Sequence, residues 1–149
     1  MHSFTCIHLH LVFATKGRLR LIKPAVQSRL WAYLGGIARE NKITALAIGG
    51  VEDHVHMLVT LPAVFSTAKA VQLIKGNSSK WIHETFPNLQ DFEWQEGYGA
   101  FSIGVSGVEE TAAYIRNQVE HHKKTTFNEE LVAFLKKHGL PYEDGQLED

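Results

Sequence analysis

The sequence predicts an α+β fold: a four-stranded antiparallel sheet with two helices on one face and further helices at the C-terminal end. Three observations predict it. Strand-like alternation and helix-like periodicity follow one another in the order β-α-β-β-α-β. The two middle strands are joined by a short glycine-containing turn, which makes them a hairpin. No internal repeat or low-complexity tract offers a competing plan. The 149 residues, 44% of them hydrophobic, suit one domain that buries about two thirds of its unfolded surface.

The first strand spans Phe4 to Thr15, where Ile7, Leu9, Leu11 and Phe13 alternate with Cys6, His8, His10 and Val12. That alternation gives a half-buried strand. Pro24 opens a helix, because a missing N–H costs nothing in a first turn; Val26, Leu30, Tyr33, Leu34 and Ile37 form its apolar stripe, which ends near Asn41. Ile43 to Ile48 is the second strand, and Gly49-Gly50 with Glu52-Asp53 turns the chain into a third, Asp53 to Leu61. Ser66 is the expected N-cap of a second helix through Val71, Ile74 and Ile82, stopped by Phe86-Pro87, although Gly76 weakens its interior. Trp94 to Ile103 reads as a fourth strand in which Gly97 and Gly99 signal a bulge or a close backbone approach. A third helix is expected from Val108 to Lys124, with a short amphipathic helix carrying Phe127, Leu131, Phe134 and Leu135 after it. The order is the ferredoxin-like plan, with one sheet face left free for a site. The expected organisation is a single domain over 1–138 and an acidic, poorly ordered tail over 139–149.

The formal net charge is −1, yet residues 1–80 hold ten Lys/Arg against three Asp/Glu, and residues 81–149 hold five against thirteen. A basic first half offers phosphate contacts without general polyanion binding, although solvated helix faces produce the same asymmetry. Cys6 is the single cysteine, so no internal disulfide framework is available. No basic leader precedes an apolar segment and no apolar run is long enough to cross a bilayer, so the expectation is a cytoplasmic protein with no membrane partner.

The chemistry concentrates at His54-Val55-His56. Residues i and i+2 of a strand share a face, so both imidazoles leave the same side, while Val55, Met57, Val59 and Leu61 give the other side a core to grip. This is how a strand holds one metal ion; the same pair also occurs as ordinary surface or hydrogen-bonded histidines, and alone it does not choose. On the third helix Tyr114, Gln118 and His121 fall at i, i+4 and i+7, a phenol, an amide and an imidazole on one face, with Ala112, Ile115 and Val119 on the apolar side. A tyrosine within a polar stripe is commonly just an amphipathic rim.

Taken in order, these motifs resemble the single-tyrosine HUH transposases, the group of insertion-sequence TnpA enzymes and REP-associated tyrosine transposases. The resemblance runs from His10-Leu-Val-Phe-Ala-Thr-Lys16-x-Arg18 through Asp53-His-Val-His-Met-Leu58 and Leu73-Ile-Lys75-Gly-Asn-Ser-Ser79. It continues through Trp94-Gln-x-Gly97-Tyr98 and Tyr114-Ile-Arg-Asn-Gln118 to Phe127-x-Glu-Glu-Leu131. It implies that His54 and His56 bind a catalytic divalent metal, that Tyr114 is the nucleophile and that Gln118 is the third protein ligand. Two imidazoles and an amide leave coordination positions open and suit Mg²⁺ or Mn²⁺ better than a closed structural zinc site. The resemblance further implies cleavage and rejoining of single-stranded DNA at hairpin-marked ends through a 5′-phosphotyrosine, with no nucleotide cofactor. It also implies a homodimer, often with the tyrosine helix of one protomer completing the partner's site; Gly104 and Gly107 offer a hinge for that exchange.

Lys16, Arg18, Lys75 and Lys80 are the candidate phosphate contacts, solvated lysines being the plain alternative. His8 and His10 share a face, and if it is the open one, a positioning role beside the metal fits better than ligation. Two other readings compete: a domesticated protein that binds hairpins for regulation without cutting them, and a ferredoxin-like metal or small-ligand module in which Tyr114 plays no part.

Overall fold

A computed structural model describes residues 1–147. Four strands, β1 (His8–Ala14), β2 (Thr44–Gly50), β3 (His54–Thr60) and β4 (Gly99–Ile103), form one antiparallel sheet in the order β2-β3-β1-β4. The central pair, β1 and β3, carries the histidines. Helices α1 (Pro24–Glu40) and α2 (Thr67–Thr85) connect β1 to β2 and β3 to β4, as the ferredoxin-like order requires. Pro24 stands in the first turn of α1, and the Ser66 side chain accepts the backbone N–H of Lys69 to cap α2.

Alternation divides the sheet. Leu9, Leu11 and Phe13 of β1 and Val55, Met57 and Val59 of β3 face α1 and α2 and pack with Leu30, Leu34, Ile37, Val71, Ile74 and Ile82 in the main core. The intervening residues, His10, Val12 and Ala14 with His54, His56 and Leu58, point to the opposite face. Sequence alone leaves that face free. In the structure it is roofed by α3 (Val108–Arg116), α4 (Gln118–His121) and α5 (Phe127–Lys137). Ala112 and Ile115 of α3 cover Ala47 and Leu58, while Phe127 of α5 covers Val12, Ala14 and Phe101. Both histidines of the strand pair are consequently buried, with 0% exposure.

Several boundaries differ from the sequence expectation. The first strand starts at His8 rather than Phe4, and β4 covers only Gly99–Ile103, with Trp94 joined to Thr15 by an isolated bridge. Gly97 between them takes φ +82°, a left-handed conformation that glycine adopts without strain. The helix expected over Val108 to Lys124 breaks at Asn117 (φ −99°, ψ 20°), so Val119, expected on the apolar side, is 55% exposed. The expected acidic tail contains a 3₁₀ turn, Asp144–Leu147, and its last two residues lie outside the described ones.

Candidate active site

The paired antiparallel strands set the site. Ala14 and Val12 lie opposite His54 and His56, and His10 lies one pair further along β1, opposite Leu58, on the same face. The His10 Nε2 and His56 Nδ1 atoms are 2.7 Å apart and share a hydrogen bond. His54 Nδ1 lies 2.7 Å from Asp53 Oδ1, and since the carboxylate only accepts, Nδ1 carries a proton and Nε2 is the nitrogen turned to the site.

The roof supplies the rest. Gln118 Oε1 is 3.1 Å from His54 Nε2, and the side chain is 1% exposed. The break at Asn117 turns α4 so that Gln118 faces the strand. The Tyr114 hydroxyl lies 3.0 Å from His121 Nε2 and donates a short hydrogen bond to Glu130 Oε2; the Tyr114 and His56 ring centres are 5.9 Å apart. Glu130, on α5 and 3% exposed, is the hub. Its Oε1 lies 2.9 Å from His56 Nε2 and 3.5 Å from His54 Nε2, while Oε2 lies 3.2 Å from Gln118 Nε2 and from His122 Nε2. Within one chain, then, the structure brings together Tyr114, His54, His56 and Gln118.

Close approach of the roof depends on glycine. A Cβ on Gly49, the β2 neighbour of His56, would lie 2.3 Å from the Ile115 carbonyl oxygen, which a backbone atom cannot vacate cheaply. Gly49 therefore sets how near α3, and with it Tyr114, comes to the sheet.

Burial and neighbours shift the ionisations in opposite senses. Burial lowers His10 to about 3, helped by His56, and lowers His56 to about 4 against the pull of Glu130. Burial also opposes charge on His54, but Asp53 and Glu130 outweigh it and raise that histidine. Burial opposes ionisation of Glu130 as well, and the neighbouring His122, His54 and His56 overcome it and hold the carboxyl below its usual range. Burial raises the Tyr114 phenol, with the Glu130 carboxylate adding to the effect.

The donor set fits a divalent cation. His54, His56, His122 and Glu130 each offer an atom within 4.8 Å of all the others, and the Asp53 contact fixes a ligating tautomer on His54. Glu130 falls within the Phe127-x-Glu-Glu-Leu131 motif, which assigns it no role, and His122 carries no marker that separates it from a surface histidine. Their one signal is helical spacing: Phe127, Leu131 and Phe134 bury one face of α5, and Glu130 lies beside that stripe at i+3 and i−1.

The candidate phosphate contacts lie elsewhere. Lys16 pairs with Glu93 at 3.0 Å, and Lys75 donates to the carbonyls of Gln95 (2.6 Å) and Gly97 (2.8 Å); the two line one groove together with Glu93 and Glu96. Lys75 is half-buried, and its pKa is lowered by that burial. Lys80 is exposed on α2. Arg18 donates to Gln95, to Asn128 Oδ1 at 3.0 Å and to the Leu147 carbonyl at 2.7 Å, and lies 4.5 Å over the Phe127 ring, so it ties the turn after β1 to α5.

A family described as "Transposase IS200 like" matches residues 3–118, from the N-terminal segment to the glutamine facing His54. The chain belongs to this family. It is 27% identical over 120 residues to the transposase for insertion sequence element IS200 of Salmonella typhimurium, covering 76% of this chain and 78% of that one. It is 25% identical over 115 residues to the ISDra2 transposase TnpA of Deinococcus radiodurans, covering 76% and 82%. Two solved structures share the fold. A crystallised candidate transposase of Deinococcus radiodurans superposes with TM-score 0.67 at 24% identity, over 79% of this chain and 95% of that one. A REP-associated tyrosine transposase bound to a REP hairpin superposes with TM-score 0.57 at 14% identity, over 77% and 67%. The IS200-like chain described here is thus a transposase with a His/Glu group whose arrangement is compatible with a divalent metal. No helix of the described residues is long and apolar enough to cross a membrane.

Proposed function

We propose that this IS200-like transposase cleaves and rejoins single-stranded DNA at hairpin-marked ends, with Tyr114 as nucleophile and with a divalent metal, Mg²⁺ or Mn²⁺, held by His54, His56 and Gln118. The observation that carries the reading is the convergence of the phenol, the histidine pair and the amide in one buried cluster. A structural neighbour bound to a REP hairpin supports a hairpin as the DNA partner.

The Tyr114 oxygen attacks the scissile phosphorus and the bond from phosphorus to the 3′ oxygen breaks. The phenol's proton passes to a base, for which His121 is in reach, and a proton taken up by the departing 3′ oxygen frees that strand as a 3′-hydroxyl. The 5′-phosphotyrosine keeps the bond energy, so a second 3′-hydroxyl reverses the step without a nucleotide cofactor. When bound, the metal supplies charge neutralisation at the non-bridging phosphate oxygens. Asp53 orients His54 and His10 orients His56, which keeps both imidazoles aimed at that position. Lys16, Arg18, Lys75 and Lys80 are the proposed phosphate contacts along the strand, Lys80 with the least surrounding structure. The protein is proposed to act in the cytoplasm and as a homodimer.

Incubation of the purified protein with Mn²⁺ and a labelled hairpin-bearing single strand tests this. The expected result is a denaturant-resistant protein–DNA species that Tyr114→Phe abolishes while hairpin binding persists. Hairpin binding without attachment by the wild-type protein, over many hairpin sequences, would contradict strand transfer and favour a regulatory hairpin-binding role.

A further inference from the structure

The family match ends at Gln118, yet two of the four groups gathered around the histidine pair come after it. His122 follows α4 and Glu130 is on α5, and both are packed into the site. The acceptors there face one another. His122 Nδ1 lies 2.7 Å from the Thr125 carbonyl oxygen, which only accepts, so Nδ1 carries the proton and the buried Nε2 turns its lone pair toward Glu130 Oε2 at 3.2 Å. That Nε2 makes no hydrogen bond of good geometry within the described residues. His54 Nε2 faces Gln118 Oε1, its hydrogen-bond partner, at 3.1 Å and Glu130 Oε1 at 3.5 Å. A bound cation would take the place of protons on these nitrogens as the charge opposite the Glu130 carboxylate. One nitrogen each from His54, His56 and His122 and one Glu130 oxygen all lie within 4.8 Å of one another, close enough to converge on a single ion.

We propose that His54, His56, His122 and Glu130 form a closed, four-donor site for a zinc-class divalent cation, which pins α5 over Tyr114 in a resting state. Three imidazoles and one carboxylate are a borderline-soft, tetrahedral set, unlike the open His54/His56/Gln118 set proposed for catalysis. With Glu130 in place, its oxygens fill the position a phosphate must take, and two anions do not share so small a buried space. DNA entry therefore requires α5 to withdraw Glu130. The short link through residues 123–126 and the contact of Arg18 with Asn128 set how α5 is held. The link to DNA entry rests on the strand-transfer reading; the cation site itself does not.

Zinc titration of the metal-free full chain, with hydrogen exchange of residues 127–137 followed by mass spectrometry, tests the site. One Zn²⁺ per chain is expected, with at least tenfold slower exchange in α5 when it is bound. Glu130→Gln and His122→Asn are each expected to weaken zinc at least tenfold and to abolish the added protection, whereas Tyr114→Phe keeps both. Wild-type zinc affinity in either of the first two variants, or unchanged α5 exchange on binding, would overturn the inference. The DNA attachment assay is unaffected by that outcome, so failure of the cation site and failure of strand transfer are read separately.

Discussion

His10 shows what a residue gains from its strand register. It is not placed to ligate: its Nε2 is occupied by His56 Nδ1 at 2.7 Å, and its ring is enclosed by Phe101, Phe134 and Tyr114. It acts by fixing the His56 ring and tautomer. Partners of this kind are worth about 10–100-fold in metal affinity, so His10→Ala is expected to weaken Mn²⁺ or Zn²⁺ binding by about that factor, measured by calorimetry; unchanged affinity would show that His56 needs no such support. The sequence carried the histidine pair because period-2 alternation identifies a face without any tertiary information. It did not place Glu130 or His122 in the site, since their burial results from how α5 folds back, and a local pattern does not encode where a distant helix lands.

At the scale of elements, the roof explains both the successes and the corrections. The β-α-β-β-α-β core was legible because each element has its own apolar periodicity, and Leu11, Val55, Met57 and Ile74 are all fully buried as that pattern requires. The break at Asn117 was not legible, because Val119 completes a plausible apolar stripe that the chain abandons to turn Gln118 inward. Gly49 is the sharpest test of the roof. A methyl group there meets the Ile115 carbonyl, so Gly49→Ala forces α3 away from the sheet. Overpacking of this kind costs about 1–3 kcal/mol, seen as a melting temperature lower by roughly 2–12 °C, with Tyr114 displaced from the histidines. A variant of wild-type stability would mean that α3 does not pack so close in solution. Arg18 joins the turn after β1 to α5. Read from the sequence as a phosphate contact, it is engaged with Gln95, Asn128, the Leu147 carbonyl and the Phe127 ring. Arg18→Ala is accordingly expected to speed hydrogen exchange in α5, an effect absent if the guanidinium serves DNA alone.

Across the whole molecule, the phenol and its histidines belong to one chain in this structure. Exchange of the tyrosine helix between protomers is therefore not needed to bring the phenol beside the histidines. Mixing His56→Ala with Tyr114→Phe is expected to leave DNA attachment absent, whereas restored attachment would establish completion by a partner. The buried histidines also set a pH dependence for the metal-free protein. The folded values of His10 and His56 lie near 3 and 4, below the ordinary 6.5, so between about pH 6.5 and 4 the unfolded chain binds protons that the folded chain refuses. Stability is therefore present above that window and lost as pH falls through it. His54, raised, works in the opposite sense, with its contribution lost as pH rises past its folded value. Two lowered histidines against one raised give a net loss on acidification. A melting temperature roughly 5 °C or more lower at pH 5 than at pH 7 is expected, and an equal or higher one at pH 5 would contradict the buried, neutral histidines.

The most direct measurement is peptide mapping of the covalent protein–DNA product formed with Mn²⁺ and a hairpin-bearing single strand. Among the four tyrosines of the chain, the nucleotide adduct is expected on Tyr114. An adduct on Tyr98 or Tyr142, or none in a preparation that binds the hairpin, would contradict it.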